Sequence, residues 1–128
     1  MSQLPRETLY PQYDKDTSLY DAVVKPLMFG DDRKPIPGNI RIFNKVGGAY
    51  GYLVDNAYIV DFDNNAEFML SVVINVNLDG IYNDDKYEYK KIGYPFLKNI
   101  GQTIYMYELG RKREREPDLS EFKLKYDR

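Results

Sequence analysis

The chain has 128 residues, enough for one domain with a modest core. Its 18 Lys and Arg against 20 Asp and Glu give a net charge of -2, which argues against a general nucleic-acid or membrane-surface binder, since those carry a basic excess. Cysteine and histidine are both absent, which excludes disulfides, thiolate nucleophiles, Cys or His metal sites and His-dependent triads, and leaves carboxylates, lysines and tyrosines for acid–base work.

Residues 1–16 read as irregular, with Pro5, Pro11 and several polar side chains. "TSLYDAVVKPLMF" follows and predicts a helix capped by Thr17 or Ser18, with Leu19, Tyr20, Val23, Val24 and Leu27 on one stripe. Pro26 weakens it near its end and Gly30 stops it. "GDDRKPIPGN" is a loop by its Pro, Gly and Asp content. Three strands come next: Ile40–Lys45, Gly51–Phe62 and Glu67–Val76. In the second, Tyr52, Val54, Tyr58, Val60 and Phe62 alternate to one face, with Leu53, Ala57 and Ile59 opposite. In the third, Phe68, Leu70, Val72, Ile74 and Val76 share a face. "DFDNNAEF" is a tight hairpin, because Asp and Asn tolerate turn backbone. The three strands therefore form an antiparallel meander, and the fold class is α+β.

A polar loop, residues 77–93, leads to a helix starting near Tyr94 or Pro95, proline being tolerated in the first turn. Phe96, Leu97, Ile100, Ile104 and Tyr107 give that helix an apolar stripe, and Gly110 ends it. "RKREREPDLSEFKLKYDR", residues 111–128, alternates in charge sign and reads as a solvated tail or short helix. The division expected is one domain over residues 1–109 and a charged tail from 110. No apolar run approaches the roughly 20 residues of a membrane span, and "MSQLPRETLY" lacks the hydrophobic stretch of a signal peptide. The 13 tyrosines, against 6 phenylalanines and no tryptophan, suit half-buried sheet surfaces with polar tips, and a carbohydrate-binding face is the sharper reading of the same composition.

Three short patterns bear on chemistry. "NVNLDGIYNDDK" has the alternating Asn75, Asn77 and Asp79 and the Gly80 of a calcium loop, yet Lys86 stands where the anchoring glutamate belongs, so it reads as a polar connection. "SEFK", Ser120–Lys123, matches serine-x-x-lysine in a charged tail and reads as coincidence. "KVGG", Lys45–Gly48, is either a place where two glycines let adjacent strands turn or bulge, or a lysine held at a strand end to meet a substrate.

The order around "KVGG" resembles the C-terminal part of serine β-lactamases and penicillin-binding proteins, in which a Lys-Thr-Gly or Lys-Ser-Gly strand lies beside the nucleophile. Residues 40–109, from "IRIFNKVGGAYGYLVDNAYIVDF" through "GYPFLKNIGQTIYMYEL", look like the tail of a bacterial group of β-lactamase-like serine hydrolases. The resemblance implies a partial β-lactamase-like sheet subdomain with no cofactor and no metal. It makes Lys45 the catalytic-site lysine that supplies positive potential, Gly47 the position that leaves room for substrate, and the backbone N–H of Gly48 an oxyanion donor. Val46 departs from the pattern, since the family's hydroxyl there bonds a substrate carboxylate; this turns the expectation toward another ester, amide or peptide. The family's Ser-x-x-Lys helix does not precede Lys45, and neither Ser-x-Asn nor Tyr-x-Asn occurs. The expectation is a C-terminal portion inactive by itself, in a protein that would be periplasmic or extracellular. Apolar residues on both sheet faces predict a partner: a second copy, or the missing N-terminal half. The alternative is a non-catalytic binding module that oligomerises through an exposed sheet face.

Overall fold

Alternation of side chains builds the centre of the molecule. The computed structural model describes residues 1–13 and 15–126. Three ten-residue strands, β1 (Ile40–Ala49), β2 (Tyr52–Asp61) and β3 (Ala66–Asn75), form one antiparallel sheet in the order β1-β2-β3. β1 pairs with β2 in the register Ile42↔Ile59, and β2 with β3 in the register Ile59↔Phe68. One face therefore carries Ile40, Ile42, Leu53, Ala57, Ile59, Phe68, Leu70 and Val72, which pack into the core. The molecule is α+β, with small N-terminal turns and one long helix, α2 (Tyr94–Gly110), on that face.

β1 is longer than the sequence suggested. Lys45 and the glycine pair stay in the strand, and the corner falls at Tyr50-Gly51. Both turn residues have positive φ, 53° and 87°, the backbone a two-residue hairpin favours. Gly51 is obligatory here: a Cβ would lie 2.5 Å from Asn77 Cβ. The second hairpin joins Asp61 to Ala66, where the "DFDNNAEF" pattern placed it.

The expected helix over residues 17–29 does not form. Its place is taken by a 3-10 turn, Asp21–Val24, and a tight turn α1, Pro26–Phe29, in which Leu27 has ψ 121° and Met28 φ 80°. Side-chain acceptors break the helical ladder. Asp21 accepts from the Ile36 amide at 2.8 Å, and Asp55 accepts from the Leu27 amide at 3.2 Å. A strand carboxylate thus takes the Leu27 amide that a helix would keep for itself, and Asp21 serves the loop beyond the segment.

α2 begins where expected, after a π-turn at Tyr89–Gly93, but its buried face is rotated from the one the apolar stripe suggests. Leu97 and Gly101 are buried, with Ile100 and Tyr105 packed beside them, whereas Phe96 and Tyr107 are exposed. Gly101 explains the rotation. A Cβ there would sit 2.4 Å from the Met28 backbone nitrogen, so α1 crosses α2 at a residue without a side chain. Gln102 Nε2 closes the crossing with a 3.1 Å bond to the Met28 carbonyl.

The segment after Gly110 is not simply solvated. Leu119 is buried, and Phe122, in a 3-10 turn Ser120–Phe122, packs edge-on to Phe43 and against Tyr58 on the sheet face opposite α2. No helix among the described residues is long and apolar enough to cross a membrane.

Candidate functional site

The four sequence-predicted positions lie together on the outer edge of the sheet. The hairpin sets which amides face outward. The Phe62 amide donates to the Asn39 carbonyl at 2.9 Å, so odd-numbered residues of β1 exchange ladder bonds with β2. The amides of Val46 and Gly48 consequently point away from β2, on the free edge of β1. Gly48 borders a cleft of about 260 Å³ lined with Val23, Pro26, Val46, Leu53, Tyr89 and Tyr94. Gly47 is open, with nothing within 4 Å of where its Cβ would be, whereas a Cβ on Gly48 would press Leu53 Cδ2 at 3.1 Å.

Lys45 is exposed on the face away from α2, and its Nζ donates to the Val46 carbonyl at 3.1 Å. It also borders a second cleft, about 210 Å³, with Gln3, Val24, Lys25, Asn44 and Val46. Val46 is common to both clefts. The arrangement gives a strand edge with an open glycine, an outward amide and a cation within three residues. The Lys45 side chain and the Gly48 cleft lie on opposite faces of the strand, and the outward amide between them is free to bond an acceptor laid along the edge.

Beneath the edge lies a polar network that sequence reasoning missed. Lys25 is 2% exposed and donates to Asn44 Oδ1 and to the Met1 carbonyl, each at 2.5 Å. Asn44 Nδ2 donates to Asp55 Oδ1 and to the Val24 carbonyl, each at 2.9 Å. Burial pulls the Lys25 ammonium down to about 8 against the attraction of Asp55. Burial likewise pushes the Asp55 carboxyl up, opposed by Asn44, the Leu27 amide and Lys25. The network ties the N-terminal turns to β1 and β2 directly behind Val46. A signal for it existed: Asn44 and Asp55 interrupt the apolar alternation of the core face, in "IRIFN" and "LVDNAYI". The cleft tyrosines had no such signal: Tyr89, far along the chain, is brought to the hairpin corner with a bond from the Gly51 amide to its hydroxyl, 2.8 Å long.

Among the described residues, no serine lines either cleft. Ser2 is buried, its hydroxyl bonded to that of Tyr126, and Ser18 donates to Asp16. Ser71 is exposed on β3, and Ser120 lies in the last turn, where Lys123 Nζ sits 5.9 Å from the centre of the Phe62 ring. In the loop compared with a calcium site, Asn75, Asn77 and Asp79 each accept a backbone amide of that loop. Comparison with protein-family models, with curated proteins and with solved structures returned no match to this chain.

Proposed function

We propose that this chain carries the sheet wall of a β-lactamase-like serine hydrolase site, acting on an acyl ester or amide, with the nucleophile supplied from outside these residues. Lys45 supplies positive potential, Gly48 one oxyanion amide, and Gly47 and Val46 the strand along which substrate lies. The observation that carries this reading is the Gly48 amide, placed on the free edge of β1 at the mouth of a cleft. Val46 offers no hydroxyl, so the substrate class is one that does not depend on a carboxylate clamp at that position. On this reading the chain alone is inactive, and the protein holding the nucleophile, whether the rest of a longer chain or a separate one, is its partner.

The test is ester hydrolysis and fluorophosphonate labelling by the full-length gene product. Gly48→Pro removes the outward amide without touching the β1–β2 ladder, and should lower kcat by about 100-fold. Lys45→Ala should lower kcat/KM as well. Activity unchanged in both variants would refute the assignment. Labelling of the 128 residues alone, at Ser71 or Ser120, would refute the external nucleophile.

A second reading, a non-catalytic interaction module, is favoured by one observation: among the described residues, no serine hydroxyl is bonded to a lysine amine. It predicts that neither the chain nor the full-length product labels.

A further inference from the structure

The two edges of the sheet are treated differently. β1 is occupied at its start, where the Ile40 amide bonds the Pro37 carbonyl and the Asn44 side chain bonds the Val24 carbonyl, while the Val46 and Gly48 amides stay free among the described residues. Among the described residues, nothing bonds the outer backbone of β3 from Met69 to Val73. The Val76 amide donates to the Gly51 carbonyl at 2.7 Å, which fixes even-numbered β3 residues as the ladder partners of β2. The amides and carbonyls of Met69, Ser71, Val73 and Asn75 therefore point outward. Their side chains are exposed as well, Met69 by 79% and Val73 by 64%. From Phe68 to Ile74, "FMLSVVI" holds no charge, proline or glycine. Monomeric proteins protect edges with such residues, and an edge lacking them templates another strand.

We infer that β3 pairs antiparallel with β3 of a second copy, about a two-fold axis through Ser71. Two considerations favour this register, the outward parity of β3 and the place of Glu67, and an axis at Ser71 also keeps most of the strand paired. Odd-numbered residues must face odd-numbered residues for the free amides to meet carbonyls. An axis through Ser71 then sets Met69 opposite the copy's Val73, and on the core side Phe68 opposite Ile74 and Leu70 opposite Val72. Glu67 falls beside the copy's Asn75 and not beside its own equivalent, so no like charges are opposed. Moving the axis to Leu70 would press Glu67 against Val73. The pairing completes the half-exposed rim of Phe68, Leu70 and Ile74, producing a six-stranded sheet with β1 and its clefts at both outer ends. It is independent of the acyl-transfer reading.

Sedimentation velocity over a concentration series, with hydrogen exchange on the same samples, tests this. The chain should dimerise, and the Met69, Ser71 and Val73 amides should be protected in the dimer and lose protection on dilution. Ser71→Lys places two ammonium groups opposite each other and should weaken the dimer at least about tenfold. Tyr52→Lys, on the open face away from the edge, should leave it unchanged. A monomer at a few hundred micromolar overturns the proposal, as does a dimer whose β3 amides exchange freely. A dimer abolished by Tyr52→Lys and indifferent to Ser71→Lys would assign the contact to the sheet face and equally overturn it.

Discussion

Asp61 shows how much one buried carboxylate can organise. It is 1% exposed and accepts from Asn39, from the Asp63 and Asn64 amides, from Asn64 Nδ2 and from the Tyr105 hydroxyl. Burial alone would raise its carboxyl, but Tyr105, Asn64 and Asn39 hold it below the ordinary value. Stability from a lowered carboxylate is present above 3.8 and is lost as pH falls through the folded value. Tyr105→Phe should therefore cost about 1 kcal/mol at pH 7, with the deficit shrinking toward pH 2 in urea titrations. Lys25 has the opposite sign. Its folded value is about 8 against 10.5 unfolded, so between those limits the unfolded chain holds a proton that the folded chain lacks. Stability should rise as pH climbs from 8 toward 10, and the cost of the buried charge is complete below 8. The urea midpoint should increase between pH 8 and 9.5 in the parent chain and stay flat there in Lys25→Met; parallel profiles would show that Lys25 is not the group responsible.

At the scale of elements, the sheet was legible and the helical parts were only partly so. Period-2 alternation and the "DFDNNAEF" turn place all three strands, since side-chain direction in a strand is a local property. The N-terminal helix failed where Asp55, distant in sequence, claims the Leu27 amide and Asp21 turns to the Ile36 amide of the following loop. The rotation of α2 failed for a related reason: Gly101 contributes nothing to an apolar stripe, yet it marks the closest approach to α1. Two glycine substitutions separate these roles. Gly101→Ala should destabilise by about 3 kcal/mol or more, because backbone atoms of Met28 must move. Gly110→Ala, with nothing within 4 Å, should be neutral or stabilise by up to about 1 kcal/mol. Chemical denaturation of the pair measures both.

For the whole molecule, the segment after α2 decides which part of the second sheet face is covered. Phe122 closes over Phe43 and Tyr58 and leaves Tyr52, Val73 and Met69 open. Phe122→Ala should cost about 2–3 kcal/mol, less than a fully buried phenylalanine because it is partly exposed, and should raise binding of a hydrophobic dye. The sequence by itself determined the α+β class, the meander, the second hairpin and the start of α2, because periodicity and turn chemistry act over a few residues; it ended β1 too early, at Lys45, where the structure carries the strand to Ala49. It also brought Lys45, Val46, Gly47 and Gly48 onto one short stretch. Only the tertiary structure decided that the Gly48 amide faces outward, that Tyr89, Tyr94, Val23 and Pro26 wall its cleft, and that Lys25, Asn44 and Asp55 lie buried behind it. Those outcomes depend on strand register and on contacts between residues far apart in the chain, which local patterns do not encode.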